Sequence, residues 1–373
     1  MRVLYWTDWF LPSIGGVEVF SARLLPALAC RGHEITVVAG HHREGLPDEV
    51  DFMGVTVRRF PFHQILATRD IERIGTLLAR VRRLKRELGA DVVHLNTLGP
   101  SLLFHLQTAD LAPPVLLTMH SPIMEDAERG DTLYGRGLRS ASWVNCNSEA
   151  VRADLCRRLP ELRSRSSIIY YGMDPPALVP SPRSHEDPVI LGYGRLVHDK
   201  GFDLAIRAFR IVHRGFPRAR LLLVGEGPER AALEGLAHEL GLAEAVHFPG
   251  PVPPEDVPAL LDAASLVVVP SPWDEPFGLV ALEAALMERP VVATRAGGLV
   301  EVVEHGTTGR LVAREDPLAL ADAVIHLLEN PAQADHLGRM ARRRAMERFA
   351  WGRCVDEYEK LYEWTRDREC SHA

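Results

Sequence analysis

Two glutamates, Glu275 and Glu283, stand with seven residues between them in the stretch SPWDEPFGLVALEAALMERPVVATRAGGLVEVVEHGTTGRLV at 271–312. A helix beginning near Gly278 would leave Glu275 in the loop before it and carry Glu283 about a turn and a half inside. The free N–H groups of Phe277, Gly278, Leu279 and Val280 would then point toward Glu275's side of the helix end. A carboxylate that accepts hydroxyl hydrogen bonds, beside backbone donors for phosphate, suits a ligand in which a sugar is joined to a nucleotide. The plain alternative is a helix-start acid favoured by the dipole and an ordinary helical glutamate.

A second constellation precedes it. Gly192-Tyr193-Gly194-Arg195-Leu196 ends an apolar run, and Lys200-Gly201 follows at the start of the next helical stretch. Arg195 and Lys200 on a loop leaving a strand suit a diphosphate, the guanidinium by forked hydrogen bonds and the ammonium as a point charge. Either could equally be a solvated surface cation. Near the N-terminus, Pro12-Ser13-Ile14-Gly15-Gly16-Val17-Glu18 places adjacent glycines after the first apolar run. Such a turn opening a helix lets an anion approach free N–H groups. It is not the GxGxxG pattern of a dinucleotide cofactor.

These residues need elements to hold them. Short apolar runs alternate with longer amphipathic ones: VLYW (3–6), ITVVAG (35–40), VTVRRF (55–60), DVVHLN (91–96), VLLTMH (115–120), WVNCNS (143–148) and SIIYYG (167–172). Helical stretches at 17–32, 70–88 and 148–159 lie among them. Runs nearly continuous in Val, Ile and Leu fit strands of a parallel sheet buried on both faces. Residues 175–188, PPALVPSPRSHEDP, carry five prolines without periodicity and read as a linker and hinge. The alternation restarts with VILGYG (189–194), LLLVG (221–225), VHF (246–248), LVVVP (266–270), VVAT (291–294) and GRLV (309–312). The expected organisation is 1–174, a Rossmann-like domain; 175–188, the linker; 189–350, a second Rossmann-like domain; and 351–373, a last helix. Ligands of open α/β folds bind at strand C-termini, so a shared crevice is the expected site.

Composition excludes several classes. The formal net charge of −7 provides no basic field for nucleic acid. Five scattered cysteines (Cys30, Cys146, Cys156, Cys354, Cys370) contain no CxxC pair, so neither a zinc ribbon nor a disulfide framework is indicated. The first residues read as a strand rather than a signal peptide, and no apolar stretch approaches the roughly 20 residues that span a bilayer. A cytoplasmic chain is expected. Segment 69–87 carries seven basic and three acidic residues in a helical pattern. It leaves open a peripheral contact at the inner membrane face, against a solvated crossover helix as the plainer reading.

Gly15-Gly16, His120, Gly194-Arg195 with Lys200-Gly201, Gly225-Glu226-Gly227-Pro228, Phe248-Pro249-Gly250 and the Glu275-to-Glu283 block, followed by Gly297-Gly298 and Gly306–Gly309, occur in the order found in glycosyltransferase family 4. The resemblance spans essentially the whole chain, and the Glu275-to-Glu283 block is its most specific part. It implies the GT-B fold: two Rossmann-like α/β domains facing a central cleft, with the C-terminal helix crossing back to the first. It further implies that Arg195 and Lys200 neutralise a donor diphosphate, with a backbone contact from Gly16. Glu275 would hold hydroxyls of the donor sugar, with backbone groups of Phe277, Gly278 and Leu279 on sugar or phosphate. Glu283 would accept from the ribose, Gly225, Glu226 and Val252 would lie near the base, and His120 would face the transferred sugar. Where many relatives have Asn before the glycine, this chain has Tyr170-Tyr171-Gly172, and 122–140 matches no known acceptor pattern.

The expected activity is therefore retaining hexosyl transfer from a nucleoside diphosphate sugar, UDP-sugar first and GDP-mannose next. The acceptor would be a small molecule, glycan or lipid-linked group. No DxD motif in a suitable loop appears, so no metal and no cofactor are expected, with the two cations acting on the leaving phosphate. The competing readings are a sugar-nucleotide epimerase on the same scaffold and a transferase homologue retained only for binding.

Overall fold

The computed structural model describes residues 1–13, 15–111, 113–123, 127–183 and 186–370. Ile14 of the glycine turn, 124–126 after His120, Ser184 and His185 of the proline-rich segment, and 371–373 lie outside the described residues, as does the Cys370 side chain. The chain forms two compact units, Met1–Tyr171 with Gly352–Ala373, and Gly172–Trp351.

In the first unit the strands are β1 (Arg2–Trp6), β2 (Glu34–Gly40), β3 (Glu49–Phe52), β4 (Val55–Phe60), β5 (Val92–Leu95), β6 (Val115–Met119), β7 (Trp143–Cys146) and β8 (Ser166–Ile168). They order as β3-β4-β2-β1-β5-β6-β7-β8. All neighbours pair in parallel except β3 and β4. The sequence pattern does not reveal β3 because EVDF is only four residues long and largely exposed, as befits an edge strand. Met53 (φ 53°) and Gly54 (φ 83°) turn it into β4, and such a turn needs positive φ at both positions. The expected strand 167–172 shrinks to Ser166–Ile168, because β8 is the last strand of the sheet and pairs with β7 alone.

The helix Trp351–Cys370 belongs to this unit. Tyr362 Oη lies 2.7 Å from His94 Nδ1 on β5, and Asn145 Nδ2 on β7 donates to Tyr358 Oη at 3.1 Å. The Trp364 ring stands edge-on to Trp143 at 4.1 Å. Arg31 and His33 bind Glu359 on the outer edge, at 2.7 and 3.1 Å. Tyr358 and Tyr362 of this helix thus cover the sheet.

The second unit contains β9 (Val189–Tyr193), β10 (Arg220–Val224), β11 (Val246–Gly250), β12 (Leu266–Val269), β13 (Val291–Thr294) and β14 (Gly309–Val312). They order as β11-β10-β9-β12-β13-β14, all parallel. The proline-rich segment is tied into this unit in its second half. Ser181 donates from N and Oγ to Asp262, both at 2.7 Å. Arg183, 8% exposed, reaches Asp335 and the carbonyls of Ser265 and Pro331. Both sheets reverse direction of growth at one place, β1 to β5 and β9 to β12, and ligands in open parallel sheets bind outside the strand ends there.

The basic helix at Ile71–Leu88 turns Leu77, Val81 and Leu84 into the core, so its apolar stripe is used inside the unit. What it presents outward is Arg73, Arg80, Arg82, Arg83 and Arg86. No described helix is long and apolar enough to cross a membrane. The four cysteines whose side chains are described are free thiols.

Lys85 on that helix is 4% exposed. Its Nζ reaches His105 O and Thr108 O at 3.2 Å and His105 Nδ1 at 3.3 Å, closing the end of the helix Leu102–Leu106. Burial pushes its ammonium down to about 7. Unfolded lysine titrates near 10.4, so between these values the unfolded chain holds a proton that the folded chain gives up. Stability therefore rises with pH across that window, by at most about 1.4 kcal/mol per unit from this group. Urea midpoints measured from pH 7 to 9 should rise more steeply in wild type than in Lys85→Met. Parallel profiles would contradict the assignment.

Candidate active site

At the reversal point of the second unit, three glycine turns lie against one another. β9 runs into Gly194 (φ 142°), whose N–H donates to Val224 O at 2.9 Å. β10 runs into Gly225 (φ 144°), which donates to Gly250 O at 2.9 Å. A Cβ on Gly225 would fall 1.9 Å from Gly194 O, so only glycine lets the two strand ends approach this closely. Leu196 N–H donates to Glu226 O at 2.9 Å and closes the pair of loops. The Glu226 side chain is exposed and pairs with Arg230 at 3.0 Å, while Val252 lies half-buried just past β11. Of the positions expected near the base, Gly225 and Glu226 share one turn, which is tied to the Gly250 carbonyl two residues before Val252.

Arg195 and Lys200 part company. Arg195 is exposed, and its guanidinium makes no hydrogen bond or ion pair among the described residues. Lys200 ends the short 3-10 turn His198–Lys200, and Gly201 behind it packs so tightly that a Cβ would meet Pro270 O at 2.3 Å. That contact delivers Lys200 to the end of β12. There Lys200 Nζ donates to Glu275 Oε1 at 2.6 Å, and Ser271 Oγ donates to the same oxygen at 2.7 Å. Glu275 is 7% exposed, and its Oε2 accepts no hydrogen bond from the described residues. A buried carboxylate is tolerated when it is paired and hydrogen-bonded. Here one oxygen accepts both bonds and the other accepts none among the described residues.

The loop from β13 holds the backbone beneath. Gly298 N–H donates to Glu275 O at 2.7 Å and Gly297 N–H to Asp274 Oδ1 at 2.9 Å. A Cβ on Gly298 would lie 2.6 Å from Phe277 Cα, which explains the paired glycines. Arg314 clamps Asp274 from the side. The Phe277 ring is buried beside Phe349, so Phe277 offers its backbone rather than its side chain. Gly278 (φ 105°) caps the helix Leu279–Leu286, the start expected from the sequence, and Leu279 and Val280 lie in its first turn. Glu283 takes a hydrogen bond from Tyr193 Oη at 2.5 Å. Burial pushes the Glu283 carboxyl up, opposed by that donated bond.

The sequence reading missed Ser271, Tyr193, Thr294 and the Asp274–Arg314 pair. Thr294 Oγ donates to Ser271 O at 2.6 Å and so steadies the residue that binds Glu275. Their signal was position alone: each stands at or next to a strand end.

In the first unit, Gly15 caps the helix Gly16–Ala29 in an extended conformation, and a Cβ there would fall 2.3 Å from Glu18 Oε2. His120 follows β6. Its Nε2 lies 2.8 Å from Asn96 Oδ1 and its Nδ1 2.5 Å from Tyr171 Oη, on whose ring it also stacks. Asn96 Nδ2 donates to Ser21 Oγ at 3.2 Å, which fixes Oδ1 as the acceptor. His120 is thus the Nε2–H tautomer, and its Nδ1 accepts from Tyr171. Burial pushes the imidazole down to about 3. Tyr171, the residue that departs from the family pattern, is therefore a partner of His120. Among the described residues there is no group of His, Cys, Asp and Glu that could hold a metal ion.

Comparison with known proteins agrees with this architecture. The chain superimposes on sucrose-phosphate synthase from Thermosynechococcus elongatus with a TM-score of 0.82, at 26% identity over 97% of this chain and 98% of that one. Two parallel-sheet units with loop-borne sites at their reversal points define a glycosyltransferase of GT-B type. The family description "Glycosyltransferase Family 4" matches residues 14–176, and "Glycosyl transferases group 1" matches 178–344. Glycogen synthase of Mycobacterium tuberculosis is 40% identical, covering 97% of this chain and 94% of its own length. D-inositol 3-phosphate glycosyltransferase of Acidothermus cellulolyticus is 31% identical, covering 93% and 85%. The chain belongs to glycosyltransferase family 4.

A His pKa lowered from the usual 6.5 to about 3 keeps His120 neutral throughout the working range. The pH profile of kcat/KM between 5.5 and 8.5 should have the same shape in wild type and His120→Asn, whatever the loss of rate. An acid limb near pH 6 that vanishes in the variant would contradict a neutral His120.

Proposed function

We propose that this enzyme transfers a hexosyl group with retention from a nucleoside diphosphate sugar, UDP-sugar ahead of GDP-mannose, and without a metal ion. The observation that carries the reading is the meeting of Lys200, Glu275 and the Gly278-capped helix start at one strand-end reversal. A cation and backbone N–H groups face a diphosphate, and the unused Glu275 oxygen faces sugar hydroxyls. Exposed Arg195 adds a second, uncommitted positive charge on the same loop.

In this reaction the donor C1–O bond breaks, and its electron pair passes to the leaving phosphate oxygen. Charge grows there, and fixed cations and N–H dipoles stabilise it without reorganising. The acceptor oxygen bonds C1 from the face the phosphate leaves. Its proton goes to that phosphate. His120 is not the base in this scheme, because both ring nitrogens are engaged and its proton affinity is depressed. Glu283, a turn and a half into the helix, is assigned the ribose hydroxyls, with Tyr193 sharing it. Gly15 and Gly16 add backbone donors, and Gly194, Gly225, Glu226 and Val252 are assigned the nucleotide side.

The test is nucleotide release from a panel of UDP-, GDP- and ADP-sugars in EDTA, with the product anomer read by NMR. One donor should be cleaved slowly without acceptor, and the transferred product should keep the donor's anomeric configuration. Arg195→Ala and Lys200→Ala should each lower turnover by about a hundredfold or more. Activity restored only by added divalent ions, or an inverted product, would overturn the respective part of the proposal.

A further inference from the structure

Beside His120 the first unit contains a cavity of about 150 Å³, partly open to solvent. Its walls are Leu98, Met119, Ile123, Ala127, Tyr134 and Leu138, drawn from the ends of β5 and β6 and from the stretch 122–140 that had no pattern in the sequence. That volume is about what a benzene-sized apolar group fills.

The polar residues of the same cavity are already engaged, save for the O–H groups of Thr97 and Ser121. Asn96 is used at both ends, by His120 and Ser21, and His120 at both nitrogens. Thr118 Oγ lies 2.8 Å from His94 Nε2, and Thr97 Oγ accepts from Asp8 N–H at 3.3 Å. Among the lining hydroxyls, that of exposed Ser121 at the rim has no partner among the described residues. A bare polyol buried here would leave several hydroxyls unsatisfied, at a cost of about 1–3 kcal/mol for each. An apolar group loses nothing by entering and gains from leaving water.

We infer that this cavity receives the apolar part of the acceptor, an alkyl or aryl group attached to the hydroxyl-bearing portion, which stays at the rim by Ser121 and His120. The inference rests on the transferase reading and narrows its acceptor class: glycosides or alcohols with a compact apolar group, in preference to free sugars.

The test is binding of methyl, butyl and hexyl glucosides and mannosides to the full chain, by ligand-observed NMR without donor. Affinity should rise roughly fourfold per methylene at first and level off once the cavity is filled. Hexyl glycosides that bind no more tightly than methyl ones would overturn the inference. Ala127→Phe, which projects a ring into the cavity, should abolish the dependence on chain length. Should that variant fail to fold, Ser121→Trp at the exposed rim makes the same test. A folded variant that keeps the full dependence would place the group elsewhere and overturn the site. Donor cleavage measured on the same samples separates the two readings. Intact chain-length dependence without cleavage of any donor would sink the transferase proposal and leave the cavity standing.

Discussion

Glu275 keeps a carboxylate almost out of water at the end of β12, and the loops of the second unit are arranged around keeping that charge paired. Unpaired, such a group would be several kcal/mol too costly to bury or would take up a proton. Lys200 and Ser271 converge on one of its oxygens. Lys200 can be there only because Gly201 lets the turn His198–Lys200 rest on the Pro270 carbonyl. Ser271 is held in place by Thr294 from β13. The backbone carbonyl of Glu275 is tied in turn to Gly298. Three strand-end loops, after β9, β12 and β13, thus depend on a single acid.

The glycines follow from the same constraint. Gly194 against Gly225, Gly201 against Pro270 and Gly298 against Phe277 are contacts in which a side chain would meet backbone at under 3 Å. They bring the ends of β9, β10, β12 and β13 close enough for one ligand to touch several of them. In the proposed reaction that closeness supplies preorganised donors around the developing phosphate charge. In the first unit His120 is locked between Asn96 and Tyr171, neutral and oriented.

Much of this could be read from the residues. The parallel sheets were visible because their strands are continuous in Val, Ile and Leu, and the helix start at Gly278 because Pro276-Phe277-Gly278 interrupts two periodic runs. β3 was not visible, since four exposed residues at a sheet edge are too short a run to stand out. The pairing of Lys200 with Glu275 joins residues 75 apart and depends on the order β9-β12, which no local pattern encodes. Ser271 and Tyr193 escaped for a related reason. A lone hydroxyl beside an apolar strand resembles any other until the fold shows which carboxylate it faces.

The central claim is a division of labour: Glu275 reads the sugar, and the cations read the phosphates. Calorimetric titration of one nucleoside diphosphate and of its sugar conjugate into wild type and Glu275→Gln tests it most directly. The variant should bind the diphosphate as well as wild type or better, since Lys200 is released. The sugar conjugate should lose about ten- to a hundredfold, the scale of a hydrogen bond to a charged group. Equal losses for both ligands, or no loss for the sugar conjugate, would contradict that division.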